Sequence, residues 1–489
     1  MQGVANYVGG RWVPLDAPDV TPVVDPATNE VLATVPSDGS EGVAEAAAAA
    51  ARAFPGWRAV PAGDRIQYLF RFKQLLEEEF DGISRLISRE NGKTCAEAAG
   101  ELRRGIENVE VACGIPTMMQ GYNLEDIASG IDETMNRAPL GVVGVITPFN
   151  FPVMIPLWFL PYAIACGNTV VIKPSEKVPL SIRKVVEVLE RTGLPEGVVN
   201  LAHGGRAAAD ALIEHPEVRA ISFVGSSPVA RHVYASAARH GKRVQCQGGA
   251  KNHVVVMPDA DLETTTQIVT DSAFGCAGQR CLAVSTVVTV GDAHRSFMDA
   301  IVEAAGSLRV GRGLSKDVQM GPVITAESRS RIEGAIARGA VEGAEAVLDG
   351  RGIRVDGYPN GNFVGPTVLD RVDGGGFLGT TEVFGPVLGV TPVSSLQDAI
   401  DVIARSPFGN ASSIFTTSGA SARKFRTEVP TGNVGINIGV AAPMAYFPFS
   451  GWKDSFFGVM HGQGRDAVEF YTDKKVVIER WPQEWSRRF

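Results

Sequence analysis

The amino-acid sequence predicts an α/β protein with one parallel-sheet domain, a second α/β domain and a small β flap beside them. Three observations carry this. From Gly141 onward, short apolar runs alternate with helical stretches, the pattern of a parallel sheet covered by helices. A second series of the same kind begins after Ala250. Two further segments, Ile131 to Ala138 and Lys475 to Arg480, mix polar and apolar residues and belong to neither series.

The chain has 489 residues, too many for one ordinary core, so two domains and a small third element are expected. Asn6 to Val13 reads as a hairpin turning at Gly9-Gly10. Ser40 is placed to cap an Ala-rich helix from Glu41 to Phe54, which Pro55-Gly56 stops. An amphipathic segment runs from Asp64 towards Glu90, with Leu69, Phe72, Leu75 and Leu76 at helical spacing, and Asn91-Gly92 ends it. A further helix is expected over Ala96 to Cys113. Buried strands then follow at Val142 to Ile146, Thr169 to Ile172, Val198 to Leu201, Ala220 to Val224 and Arg243 to Cys246, with helices near 180–192, 206–214 and 227–239 between them. Ligands of such sheets bind at the strands' carboxyl ends. The domain therefore reads as Rossmann-like, although a Gly-x-Gly-x-x-Gly run is absent. The second series contains a strand at 253–257, a helix from Asp261 towards Gly278, a strand at 283–290, and helices near 294–307 and 324–339. These elements put a nucleotide domain over 1–122 and 141–246 and a catalytic domain over 247–470. The outlying strands fall in a flap, 123–140 and 471–489, expected to pair and to join subunits.

Composition limits the function. The chain is 45% hydrophobic and 20% charged, with a net charge of −8 and both signs interspersed, so it lacks the clustered basic face of a nucleic-acid binder. The terminal Arg487-Arg488 reads as a solvated tail. No apolar run approaches the roughly 20 residues that span a bilayer, and the start resembles neither a signal nor a transit peptide. Six cysteines without metal-type spacing point to a reducing cytoplasm, where a thiol stays free. The seven histidines form no ligand cluster, and no metal is expected.

Four motifs carry chemistry. In Phe274-Gly275-Cys276-Ala277-Gly278-Gln279-Arg280-Cys281, glycines let the backbone approach a ligand, and the arginine beside Cys281 is expected to favour the nucleophilic thiolate. Taken alone, either cysteine reads first as a small buried apolar residue. Thr147-Pro148-Phe149-Asn150-Phe151-Pro152 follows a buried strand, where an asparagine amide can donate to an oxyanion; the same letters also serve an ordinary turn. Ile172-Lys173-Pro174-Ser175-Glu176 ends the next strand, with a donor and an acceptor suited to ribose hydroxyls or to a surface ion pair. Phe223-Val224-Gly225-Ser226-Ser227-Pro228 opens a helix whose N-terminus suits a pyrophosphate.

In order and wording these runs resemble the aldehyde dehydrogenase superfamily along essentially the whole chain. Glu382-Val383-Phe384-Gly385-Pro386-Val387 and Phe447-Pro448-Phe449-Ser450-Gly451-Trp452-Lys453 extend the match. The resemblance implies Cys281 as nucleophile, with Asn150 and the Cys281 backbone N–H at the oxyanion. It implies NAD held by Thr147, Phe149, Lys173, Glu176, Lys177, Gly225, Ser226, Gly248 and Glu382, with Lys173 and Glu176 at the adenosine ribose and Glu382 at the nicotinamide ribose. Repulsion by Glu176 should disfavour the extra phosphate of NADP. Cys276 has no catalytic counterpart, and a homodimer or homotetramer is implied.

One position departs from the family pattern. Hydrolytic members carry a glutamate that activates water, where this chain reads Gln247-Gly248-Gly249-Ala250-Lys251-Asn252-His253. Glutamine cannot act as a general base near neutral pH, so a better nucleophile such as coenzyme A is the expected acyl acceptor. The Gly-Ala-Lys-Asn-His run and the Gly-Gln-Arg-Cys around the nucleophile are similar to the coenzyme A-acylating methylmalonate-semialdehyde dehydrogenases. That likeness implies decarboxylating oxidation of methylmalonate or malonate semialdehyde to propionyl-CoA or acetyl-CoA. It also implies Arg104 and Arg280 as the substrate-carboxylate clamp, a role that suits arginine's forked donors. Two rivals remain open at this point: a hydrolytic dehydrogenase releasing a free acid, and a noncatalytic binding protein that keeps the fold.

Overall fold

The computed structural model describes residues 3–15 and 17–481; Arg487-Arg488 and the flap residues beyond 481 lie outside them. Five parallel strands form the heart of the first sheet. Their order is Val199–Leu201, Thr169–Lys173, Val142–Ile146, Val218–Val224, Arg243–Gln247. The chain lays strands outward from Val142–Ile146 to one side, then restarts on the other. That reversal opens a crevice at the carboxyl ends of Val142–Ile146 and Val218–Val224. Every side chain of Val142–Ile146 and Thr169–Lys173 is buried, which is why they stood out as apolar runs. The hairpin Ala5–Val8 and Arg11–Pro14 extends one edge, and Phe456–Phe457 pairs with the other.

The second sheet has the order Glu345–Leu348, Thr367–Asp370, Val387–Val393, Val284–Val290, Asn252–Val256, Ala411–Phe415, Asn433–Ile436, parallel except at its first strand. The two outlying strands do pair: Thr472–Arg480 runs antiparallel to Ile131–Pro139, and Tyr122–Ala128 completes a three-stranded sheet.

Some elements differ from expectation. The Ala-rich helix begins at Ser40 itself and continues through Pro55 to Ala59. Burial of Trp57, whose Nε1 donates to the Ile164 carbonyl at 3.0 Å, outweighs the hydrogen bond that Pro55 removes. The segment from Asp64 towards Glu90 is two helices, Ala62–Glu78 and Phe80–Asn91, broken at Glu79. A helix at Met154–Ala165 went unread because all of its side chains are buried, leaving no polar face to set a period. The stretch assigned to the end of the catalytic domain also returns to the first one. Phe456–Phe457 joins its sheet and Phe470 enters its core, as does Tyr471 from the start of the flap segment, its hydroxyl 2.8 Å from Ser222 Oγ. Apolar burial decides that boundary, not chain order.

Candidate active site

The crevice at the strand ends deepens into a cleft of about 860 Å³ that runs to Cys281. Thr147, Phe149, Asn150, Lys173, Glu176, Lys177, Gly225, Ser226, Gly248 and Glu382 all line it, so residues from five separate chain segments meet in one place. Arg104 and Arg280 are not part of its wall.

Lys173, at the end of its strand, is buried and lies 3.6 Å from the Glu176 carboxylate. Burial lowers its pKa, and Glu176 partly opposes this. Lys177 sits over the Phe149 ring at 5.3 Å, and Phe149 meets Phe384 edge-on at 5.8 Å. The helix Ser227–Arg239 opens on the cleft with Pro228 in its first turn. Ser227 Oγ accepts from Gly249 N–H at 2.9 Å and donates to the Asp454 carbonyl at 2.6 Å, tying that helix to the glycine run. A Cβ on Gly248 would lie 2.7 Å from the Asp454 carbonyl, so this wall must stay bare backbone. Glu382 accepts from Ala250 N–H at 2.7 Å, and burial pushes its carboxyl up to about 7 against the pull of Lys251 and Arg331.

Cys281 follows a tight turn in which Cys276, Ala277 and Gly278 have φ of 52°, 52° and 69°. Gly278 is required there, because a Cβ would meet the Gly385 carbonyl at 2.0 Å. The thiol is not activated as the sequence suggested. Burial, followed by repulsion from Glu382, pushes it up to about 12, and the opposing pull of Arg280 is the smallest of the influences on it. The guanidinium is turned elsewhere: Nε lies 3.2 Å from Cys276 Sγ and Nη2 lies 3.2 Å from the Glu97 carboxylate. Arg280 is thus ion-paired with Glu97 and lies outside the wall of the cleft.

Arg104 pairs with Glu107 at 2.8 Å and donates to the Pro443 carbonyl at 2.6 Å, which puts it on the segment Gly439 to Met444. Asn150 is buried, and its amide donates to the Gln279 carbonyl at 3.0 Å, leaving one N–H for a ligand. Gln247 is buried too. Its amide nitrogen donates to the Phe449 carbonyl at 3.2 Å, and its oxygen has no partner among the described residues.

A model of the aldehyde dehydrogenase family matches residues 12–477. The chain belongs to this family. It is 49% identical over 481 residues to malonate-semialdehyde dehydrogenase 2 of Geobacillus kaustophilus, covering 98% of this chain and 99% of that one. It is 48% identical to malonate-semialdehyde dehydrogenase of Halalkalibacterium halodurans, covering 97% and 98% of the two chains. The crystal structure of methylmalonate-semialdehyde dehydrogenase from Oceanimonas doudoroffii superposes with a TM-score of 0.98 at 43% identity, covering 100% of both chains. A protein of Sinorhizobium meliloti assigned to the same activity, solved with NAD bound, superposes with a TM-score of 0.97 at 38% identity and covers 99% of both.

Several residues that shape the site of this aldehyde dehydrogenase were not singled out by sequence. Asn252 Nδ2 donates to the Cys281 carbonyl at 2.8 Å, and Asn410 Nδ2 to the same oxygen at 2.7 Å. Asn252 lies within the quoted Gly-Ala-Lys-Asn-His run; Asn410 had no signal. Glu97 caps the helix Cys95–Ala112 together with Thr94 and also accepts from Cys276 N–H at 2.5 Å. The Thr94-x-x-Glu97 spacing marks the cap but not the second contact. Among the described residues no group of His, Cys, Asp or Glu is arranged to hold a metal, and no helix is long and apolar enough to cross a membrane.

Proposed function

We propose that this enzyme oxidises malonate semialdehyde or methylmalonate semialdehyde to acetyl-CoA or propionyl-CoA, with NAD as oxidant and coenzyme A as acyl acceptor. The observation that carries the reading is Gln247. It stands where hydrolytic relatives keep a base, and its amide is directed to the Phe449 carbonyl. The names of the most similar relatives support the same substrate class.

The cleft fits a dinucleotide. The buried Lys173 amine and the Glu382 carboxyl offer a donor and an acceptor for ribose hydroxyls, and the bare backbone at Gly248 leaves room for a close approach. Glu176 beside Lys173 repels a further ribose phosphate, which favours NAD. When bound, NAD supplies the hydride acceptor. The chain's own residues do the rest. Cys281 gives up its thiol proton to solvent in the cleft as its sulfur adds to the aldehyde carbon, and the free N–H of Asn150 with the Cys281 backbone N–H receives the oxyanion. Oxidation leaves an acyl group on Cys281. The β-carboxylate departs as carbon dioxide, its electron pair passing into the thioester enolate, which is then protonated. Coenzyme A thiolate attacks the thioester and expels Cys281. Water is a poor competitor because Gln247 cannot take its proton. Arg104 is the candidate for the substrate carboxylate.

The three-stranded flap is the candidate subunit contact. Tyr122, Leu124, Val476 and Ile478 are exposed apolar residues on it, as expected of a surface covered in a dimer or tetramer. Six free cysteines fit a cytoplasmic setting. A rapid-mixing experiment without coenzyme A tests the mechanism. It should give a burst of one NADH per Cys281 and then stall, resuming when coenzyme A is added. Steady turnover from the start would overturn the reading.

A further inference from the structure

The short turn after the helix Phe80–Asn91 reaches the loop that carries Asn150. Asn91 Nδ2 donates to the Phe149 carbonyl at 2.8 Å. Lys93 Nζ donates to the Asn150 carbonyl at 2.6 Å and to the Glu101 carboxylate at 2.6 Å. The other Glu101 oxygen accepts from Val153 and Met154 N–H at 2.9 and 3.1 Å. Both side chains of the Lys93–Glu101 pair have 0% exposure, and the ammonium also lies 4.1 Å from the centre of the Phe151 ring. The loop from Asn150 to the start of the helix Met154–Ala165 is thus gripped at both ends by one buried ion pair.

A buried ion pair is an expensive way to fill space, since an apolar pair of the same volume holds a core at least as well. What it adds is direction. A lysine donor aimed at a carbonyl fixes the plane of that peptide, and here the peptide belongs to the residue read as the oxyanion donor. We propose that the turn Asn91–Lys93 positions Asn150: through the Phe149 and Asn150 carbonyls it sets where the Asn150 amide points, with Lys93 as the principal contact. This rests on the oxyanion reading of Asn150. Lys93 touches no reacting atom and acts through Asn150 alone. Backbone displacement of about 1 Å at such a donor is enough to slow acylation on the order of 100-fold.

A double-mutant cycle tests this. Lys93→Met, Asn150→Ala and the pair are compared by the rate constant of the NADH burst with malonate semialdehyde and saturating NAD. Lys93→Met should slow the burst about 30- to 100-fold when Asn150 is present, and less than about 3-fold when Asn150 is already alanine. Equal fold-effects in the two backgrounds would make Lys93 a scaffold residue and overturn the inference while leaving the oxyanion role of Asn150 intact. An unchanged burst in Asn150→Ala alone would overturn the oxyanion role itself and the inference with it. Lys93→Met leaves Glu101 unpaired, so Lys93→Met/Glu101→Gln is carried through the same cycle. Asn91→Ala, which frees only the Phe149 carbonyl, is read by the same non-additivity criterion if neither lysine variant folds.

Discussion

The free enzyme should hold Cys281 as a neutral thiol well beyond neutral pH. Its pKa rises from 9.0 to about 12, burial first and the Glu382 charge second. Three units correspond to about 4 kcal/mol against the thiolate. That is a ceiling, because the side chain still borders the cleft and water screens part of the penalty. At pH 8 the thiolate fraction would be roughly a thousandth of that of an ordinary thiol. The intrinsic nucleophilicity of a more basic thiolate recovers roughly one and a half powers of ten, so alkylation should be about 30-fold slower than for an exposed cysteine. The assay is iodoacetamide labelling of the NAD-free enzyme, followed by mass at the Cys281 peptide so that Cys95 and Cys113 do not confuse it. The rate should climb about tenfold per pH unit from pH 7 to 10 with no plateau. Glu382→Gln removes the second cause and should speed labelling several-fold at pH 8. It should have little effect at pH 6, where the Glu382 carboxyl, itself raised to about 7, is already largely protonated. A plateau centred near pH 8 to 9 would instead make Cys281 the activated thiolate that the adjacent Arg280 suggests in the sequence.

Gln247→Glu should introduce acid release without coenzyme A, measured by product chromatography. It should also cost about 1–3 kcal/mol in chemical denaturation, because a carboxylate would face the Phe449 carbonyl in a buried site. Arg104→Gln should raise KM for malonate semialdehyde about 10- to 100-fold and leave KM for an uncharged aldehyde such as propanal nearly unchanged. Glu176→Gln should narrow the preference for NAD over NADP at least about tenfold in kcat/KM, since the repelling charge beside Lys173 is gone. His253 is buried, and desolvation, reinforced by Lys251, lowers it from 6.5 to about 3. A depressed folded pKa contributes stability that is full above about pH 6.5 and is lost as pH falls towards 3. His253→Gln should therefore flatten the fall in denaturation midpoint between pH 6.5 and 4, and an unchanged slope would contradict this.

The legible parts of the fold were those in which burial wrote a local pattern. Val142–Ile146 and Thr169–Lys173 are buried on both faces and read as apolar runs, whereas Met154–Ala165, buried all round, has no period to read. Pro55 reads as a stop only until Trp57 is seen anchored on Ile164, a contact between residues far apart in the chain. The site divides in the same way. Its cofactor loops are contiguous words at strand ends, so they could be quoted from sequence and the cleft assembles them. The supports are single side chains arriving from distant helices and strands: Lys93 and Glu101 under Asn150, Glu97 behind Cys276, and Asn410 on the Cys281 carbonyl. None of these contacts carries a local signature, and even the Thr94-x-x-Glu97 capping pattern marks only the helix start. Arg280 shows the opposite hazard. Adjacency in sequence suggested that it served the thiol, but the turn at Cys276 to Gly278 sends its guanidinium to Glu97.

The proposed mechanism sends the acyl group from Cys281 to coenzyme A and not to water. The direct measurement is NADH formation from malonate semialdehyde with and without coenzyme A, with the acyl product identified by mass. Sustained turnover is expected only with coenzyme A, with acetyl-CoA equal to the NADH formed. Equal turnover without it, yielding a free acid, would mean instead that this site positions water without a carboxylate base.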